Sequence, residues 1–340
     1  MQREAILITG ANGEIGHGLI EHFQEKCNYD ILTLDIHPLD DSLKPYCCQF
    51  FQGDILNEAL IEELGAYPIT TIYHLASLLS TQAEKKPALA HDVNVNGTFN
   101  LLQLADKLGE QRGKPVKFIY PSSIAAYGIP SLELKQKAGK VTEEQYISSC
   151  ITMYGINKLY CENLGRYMMG YYGQITPEGP RQNIDFRVLR FPGLISPITL
   201  PTGGTTDYGP EMLHSAAQDK PYECFVRPDT QLPFMVMPDA IKSLILLEDA
   251  PREALTQTTY NVTSFSPTAA ELVEIVKIAF PQAQITYQLD PGRQRFVDTW
   301  PADIDDSAAR RDWGWKADYD QERAFNDLLI PAVKTRYGLE

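Results

Sequence analysis

From residue 5 to about residue 190, short runs of β-branched and other apolar residues alternate with longer stretches of helical character. The runs are AILIT (5–9), DILTLD (30–35), CCQFFQ (47–52), TTIYHLA (70–76), VKFIYPSS (116–123) and DFRVLRF (185–191). Helical stretches fall at 14–27, 57–65, 84–109 and about 148–172. Strands this continuously apolar have no face to give to water, so the alternation predicts a parallel sheet covered by helices on both sides. The expected fold class is α/β, a doubly wound parallel sheet with a smaller C-terminal α/β lobe.

After Phe191 the rhythm changes: prolines recur from Pro192 to Pro251, and no regular alternation appears before about residue 237. A helix at 239–249 and the strand TTYNVT read as returns to the rim of the first domain. Helices at 267–279 and 319–335, with a strand near QITYQL, complete a second lobe. The expected division is a nucleotide-binding domain over 1–190 with returns at about 232–264, and a substrate lobe over 191–231 and 265–340. A ligand is expected beyond the carboxyl ends of the strands.

A net charge of −14 and an isoelectric point near 4.9 argue against nucleic acid, whose binding draws on clustered lysine and arginine. No apolar run is long enough to cross a bilayer, and MQRE leads straight into a strand without signal-peptide regions, so no membrane partner and a cytoplasmic location are expected. The 6 cysteines form no CxxC pair and read as reduced thiols. The 6 histidines include no HExxH, and no metal site is expected. Asn261-Val262-Thr263, a formal glycosylation sequon, reads as a strand end.

GANGEIG, with Gly10, Gly13 and Gly16, follows the first strand and opens a helix. The first glycine serves a tight turn, the second lets backbone approach a pyrophosphate, and the third lets helix and strand pack closely. Asp35 closes the second strand about 20 residues later, where a carboxylate takes the hydroxyls of an adenosine ribose. With no Arg or Lys in LDIHPLD to receive a 2′-phosphate, the cofactor is expected to be NAD in a Rossmann fold. Asn12, Glu14, Ile15 and Ile36 flank these groups. Asp54 and Ile55 are placed to meet adenine, with Asp54 capping a helix from 57 as the structural alternative. Leu75, Ala76 and Ser77 would pass beneath the pyrophosphate. Asn94 ties loops together as readily as it takes part in chemistry, and Pro192 and Leu194 complete the expected cofactor contacts.

Tyr154 and Lys158, in YGINK, lie one helical turn apart on one face. With 18 tyrosines in the chain, YxxxK alone arises by chance; its place after PSSIAAYG, where Ser122 and Ser123 reach the carboxyl edge of the sheet, gives it weight. A tyrosine whose pKa is drawn down by an ammonium can take the proton of a secondary alcohol, and a serine can hold the alcohol oxygen.

The glycine turn, Asp35, the serine after the fifth strand and YxxxK together resemble the extended short-chain dehydrogenase/reductase superfamily, also described as the NAD-dependent epimerase/dehydratase family, over the whole chain. The resemblance implies Ser123, Tyr154 and Lys158 as catalytic residues, with Tyr154 as base and Lys158 on the nicotinamide ribose. FPGLIS (191–196), GGTTDY (203–208), LPFMVMPDAI (232–241) and RQRFVDTWPADIDDSAARRDWGW (293–315) resemble the short-chain-type L-threonine 3-dehydrogenase family. That resemblance implies oxidation of the β-hydroxyl of L-threonine to 2-amino-3-oxobutanoate, with hydride passing to NAD. It places Ser80, Thr205, Thr206 and Asp207 around the amino acid, with Ser123 and Tyr154 at its hydroxyl. Trp300 reads as a wall or lid of the pocket or as core, and Asp207 alternatively as a helix cap. It also implies a homodimer through the helices near 84–109 and 148–172.

The sequence departs from that family in the charged connector SLELKQKAGKVTEEQ, in GQITPEGPRQ, in Glu14, and in Tyr127 where Phe is common; the first puts substrate choice in doubt. A sugar-nucleotide epimerase or dehydratase is the alternative, with Arg227, Arg293 or Arg295 as diphosphate ligands. PTGGTTDYG (201–209) follows no strand-to-helix turn and so is no phosphate cradle. It reads as a glycine-hinged clamp for an amino acid, closing the site against water.

Overall fold

The computed structural model describes residues 3–26, 29–201 and 204–339. Cys27, and Thr202 and Gly203 of PTGGTTDYG, lie outside the described residues. The chain runs through β1 (Ala5–Thr9), α1 (Glu14–Lys26), β2 (Asp30–Asp35), β3 (Gln49–Gln52), α2 (Glu58–Leu64), β4 (Ile69–His74), α3 (Ser80–Lys85), α4 (Pro87–His91) and α5 (Gly97–Arg112). Then come β5 (Val116–Ser123), α6 (Leu132–Ala138), β6 (Lys140–Val141), α7 (Met153–Gly170), β7 (Ile184–Phe191), β8 (Gly193–Ile195), α8 (Tyr208–Ala217), β9 (Tyr222–Cys224) and β10 (Phe234–Val236). The remainder holds α9 (Met237–Asp249), β11 (Thr259–Asn261), α10 (Ala269–Ala279), β12 (Ile285–Tyr287), α11 (Pro291–Thr299), β13 (Asp303–Ile304), α12 (Ser307–Trp313) and a helical run from Gln321 to Arg336.

Seven strands form one sheet in the order β11-β7-β5-β4-β1-β2-β3, and the ladders from β5 across to β3 are parallel. This is the doubly wound α/β architecture, with its switch point between β1 and β4. Every residue of β1 and of β7 is buried, as strands covered on both faces must be. Three two-stranded parallel ladders, β8–β10, β9–β12 and β6–β13, accompany the sheet.

The chain forms two compact units, Met1–Ser122 with Ile156–Leu189 and Leu244–Tyr260, and Ser123–Gly155 with Arg190–Ser243 and Asn261–Glu340. Leu7, Leu32, Ile72, Leu102, Phe118 and Phe186 belong to the core of the first. Tyr208, Phe234, Leu272, Trp300 and Phe325 belong to that of the second. The segment 123–155 packs in the second unit rather than with the nucleotide half, because Ile124, Ala125, Tyr127, Ile129 and Val141 are part of the second core.

The helix expected over 84–109 is broken into pieces. Lys86 precedes Pro87 and sits at φ −136°, ψ 64°, the non-helical backbone that a following proline ring enforces. After α4 the chain widens into a π turn over Asp92–Asn96 before α5 begins. The N-cap of α2 is Asn57, whose side chain accepts from the N–H groups of Ala59 and Leu60. Asp54 instead accepts from Leu56 N, so it does not cap that helix.

Candidate active site

In the first unit the glycine turn is shaped by what it must clear. Gly10 has φ +67°, and a Cβ there would stand 2.7 Å from Ala76 N. At Gly16 a Cβ would stand 2.3 Å from Ala11 O, so only glycine lets α1 settle onto the preceding turn. Gly13 is exposed, with Asn12, Glu14 and Ile15 half-buried around it. Asp35 accepts from Asn12 N (3.0 Å) and from His37 N (2.9 Å), which aims its carboxylate across the turn. Among the described residues no lysine or arginine pairs with it. A cradle that a Cβ would fill, beside a carboxylate without a cation, fits a dinucleotide with a free ribose 2′-hydroxyl. Ile36 is 59% exposed beside it, whereas Ile55 is buried and fills the space over Gly97.

The segment after β4 is held from both ends. Leu75 N donates to Thr9 O (3.0 Å) and Ala76 N to Thr9 Oγ1 (3.4 Å). Asn94 accepts from Leu78 N (2.7 Å), and its Nδ2 donates to Leu78 O (3.1 Å) and Asn157 Oδ1 (3.4 Å). Asn94 thus ties this segment, which includes half-buried Ser77, to α7. Ser80 follows as the first residue of α3.

Successive residues of β5 point to opposite faces, and this separates its two serines. Ser122 is buried and donates to Glu162 Oε1 at 2.5 Å. Ser123 is half-buried and accepts from Ala125 N (3.1 Å), capping the short turn Ile124–Ala126. Lys158 is buried on α7, its Nζ donating to Pro121 O (2.7 Å) and lying 4.5 Å above the Tyr120 ring. Burial lowers the Lys158 ammonium to about 8, while Cys161 and Glu162 act in the opposite sense. Glu162 was not among the expected site residues; its signal was the same one-turn spacing that joins Tyr154 to Lys158.

Tyr154 stands in the first turn of α7, half-buried against the second core, and burial pushes its phenol up. Thr152 Oγ1 accepts from Gly155 N (3.1 Å) at that helix start. A Cβ on Gly155 would stand 1.9 Å from Ala125 O, and Cys150 Sγ donates to that same oxygen (3.0 Å). The turn that follows Ser123 and the turn that carries Tyr154 therefore touch backbone to backbone.

Asp207 precedes α8 but makes no side-chain cap. Its Oδ2 accepts from Gly204 N (2.7 Å), closing the turn 204–207 on itself. Thr205 is buried; Thr206 packs by Gly193, where a Cβ would come within 3.2 Å of Thr206 Cβ. Pro192 and Leu194 flank that glycine, Pro192 buried and Leu194 half-buried. Trp300 is a core residue at 3% exposure, with no hydrogen-bond partner for its indole N–H among the described residues. Two cavities of about 370 and 330 Å³ in the second unit adjoin α6; Arg295 lines the first and Arg227 the second, and none of the residues expected to meet NAD or threonine lines either.

A doubly wound sheet whose glycine turn and Asp35 carboxylate fit NAD defines the class as an enzyme that uses a nicotinamide dinucleotide. The profile of the NAD dependent epimerase/dehydratase family matches residues 6–263. The mitochondrial L-threonine 3-dehydrogenase of Bos taurus is 35% identical over 333 residues, covering 96% of this chain and 82% of that protein. A monomeric L-threonine 3-dehydrogenase from a metagenome superposes with a TM-score of 0.83 at 36% identity, covering 98% of this chain and 99% of its own. The GalE-like L-threonine dehydrogenase of Cupriavidus necator in its holo form gives 0.81 at 34% identity, covering 96% and 99%. The chain belongs to the NAD-dependent epimerase/dehydratase family, and within it is a dehydrogenase that uses NAD.

Proposed function

We propose that the chain oxidises the β-hydroxyl of L-threonine to 2-amino-3-oxobutanoate. The observation that carries the chemistry is the backbone contact of Gly155 with Ala125, which holds the Tyr154 turn against the Ser123 turn. The substrate comes from the L-threonine dehydrogenases to which the chain is similar.

Tyr154 takes the hydroxyl proton and Ser123 Oγ donates to the substrate oxygen as charge builds on it. Lys158, one turn further along α7, binds the nicotinamide ribose and stabilises the tyrosinate against the burial that disfavours it. Gly10, Asn12, Gly13, Glu14, Ile15, Gly16, Asp35, Ile36, Asp54, Ile55, Leu75, Ala76, Ser77, Asn94, Pro192 and Leu194 hold NAD. Bound NAD supplies the hydride acceptor. The hydroxyls of Ser80, Thr205 and Thr206 receive the substrate carboxylate, and the carboxylate of Asp207 receives its ammonium. Trp300 backs the pocket from the core.

Of the cations the sugar-nucleotide alternative would use, Arg227 is bonded through both terminal nitrogens to Asp298 (2.9 Å each) and Arg293 lies 4.3 Å over the Phe225 ring, while Arg295 is exposed and lines a cavity of about 370 Å³. Purified protein given NAD is expected to form NADH with L-threonine and far less with D-threonine or L-serine. Turnover of a UDP-sugar with no NADH from L-threonine would overturn the assignment.

Exposed Phe99 on α5 and Ile156, Tyr160 and Tyr167 on one face of α7 support a homodimer through these helices. Sedimentation at micromolar concentration checks it, and a single monomeric species would refute it. The free thiols of Cys47, Cys48, Cys150, Cys161 and Cys224 support a reducing, cytoplasmic setting, which fractionation of cells carrying the tagged protein would test.

A further inference from the structure

A polar chain in the first unit joins the glycine turn to the segment behind it. Thr9 and His74 are register partners at the ends of β1 and β4. Thr9 Oγ1 lies 2.8 Å from His74 Nδ1, and His74 Nε2 lies 2.9 Å from Thr98 Oγ1. Thr98 has one hydroxyl hydrogen and gives it to Asn94 O (2.6 Å). Its oxygen must therefore accept from the imidazole, and Nε2 carries the proton. Nδ1 is then bare and accepts the hydroxyl hydrogen of Thr9, whose oxygen accepts from Ala76 N (3.4 Å). Each hydrogen is used once along this chain. His74 is 1% exposed between Phe118 and Tyr120, and burial, followed by the charge of Lys158, lowers it to about 3, so the ring is neutral.

Thr9 anchors the N-terminal end of segment 75–78 through its carbonyl and hydroxyl oxygens. Asn94, in the widened π turn, anchors the other end through Leu78, and its carbonyl receives Thr98 and also Cys161 Sγ (3.2 Å). His74 is bonded toward both anchors. Gly10 follows Thr9 directly and leaves no space between itself and Ala76.

We infer that His74 is a positioning residue for the dinucleotide: bonded at both ring nitrogens, it locks Thr9 to Thr98 and so sets the glycine turn against segment 75–78. The inference rests on the placement of NAD proposed above.

Three variants of the full-length protein test it by NAD titration and steady-state kinetics. His74→Phe keeps a ring for Phe118 and Tyr120 but leaves two buried hydroxyls without their partner. It is expected to raise the Kd and KM for NAD roughly tenfold, with kcat at saturating NAD within about threefold of the parent. His74→Asn, which retains an acceptor toward Thr9, is expected to recover part of that loss. Thr98→Val is expected to weaken NAD binding by about threefold alone and to add little to His74→Phe. A pure packing role predicts a lower Tm for His74→Phe with an unchanged Kd, and that result would overturn the inference. Should His74→Phe not fold, an unchanged Kd in Thr98→Val would overturn it instead. Gly10→Ala separates the two levels. If it abolishes NAD binding while His74→Phe leaves the Kd for NAD unchanged, only the role of His74 fails; if it binds NAD normally, the placement of the cofactor fails.

Discussion

At the scale of single residues, adjacent serines illustrate how a strand sorts chemistry from support. Ser122 points to one face and bonds to the buried carboxylate of Glu162; Ser123, on the other, accepts from the backbone N–H of Ala125. Ser123→Ala is expected to lower kcat by about a hundredfold or more with little change in stability, the scale of losing a donor to a developing oxyanion. Ser122→Ala removes the hydrogen bond from a buried carboxylate and is expected to cost about 1–3 kcal/mol of stability. Thermal unfolding and steady-state kinetics on the pair would read both, and interchanged effects would assign the catalytic hydroxyl to Ser122. Asp207→Ala is expected to raise the KM for L-threonine about tenfold while leaving the Kd for NAD unchanged; equal effects on both ligands would reduce Asp207 to its bond with Gly204.

At the scale of elements, α7 depends on one missing methyl group. A Cβ at Gly155 would sit 1.9 Å from Ala125 O, and that atom belongs to backbone, which has no rotamer to yield. Gly155→Ala is therefore expected to cost about 1–3 kcal/mol and to lower kcat more than it raises either KM, because it parts the Tyr154 turn from the Ser123 turn. A variant with parental kcat would show that this contact does not set the reacting geometry. The helix expected over 84–109 shows the limit of periodicity: α3 ends at Lys85 and α4 starts at Pro87, because the proline ring holds Lys86 out of helical backbone.

Across the whole molecule, burial of two ammonium groups makes stability depend on pH. Lys135, which donates to Val297 O at 2.7 Å, and Lys158 are each lowered to about 8, chiefly by burial. An unfolded lysine holds its proton up to about 10.4. Below pH 8 both states are protonated and these groups add no slope. Between about pH 8 and 10 the folded chain releases protons that the unfolded chain keeps, so unfolding free energy rises by roughly 1.4 kcal/mol per pH unit for each lysine. Above about pH 10 the unfolded tyrosines ionise first, since burial holds Tyr127 up to about 12, and stability falls again. Urea titrations are expected to place the maximum between about pH 9 and 10, and Lys135→Met is expected to halve the rise toward it. A profile flat from pH 8 to 10 would contradict the burial of these amines.

The alternation of apolar strands and helices determined the doubly wound sheet, because strands buried on both faces leave a pattern that local sequence carries whole. The glycine turn and Asp35 were legible for the same reason: their demands are on backbone space and on charge at short separation. Tertiary structure decided what depends on neighbours distant along the chain. Residues 124–129 pack in the second unit because their apolar side chains join its core. Asn57 caps the helix for which Asp54 was the alternative cap, and Asp207 closes its own turn, since either carboxylate has several N–H groups within local reach and only the folded backbone chooses among them. The tautomer of His74 is decided most remotely, by Thr9 and Thr98 from two other elements, for a hydrogen-bond chain is specified by three-dimensional adjacency and leaves no period in the sequence.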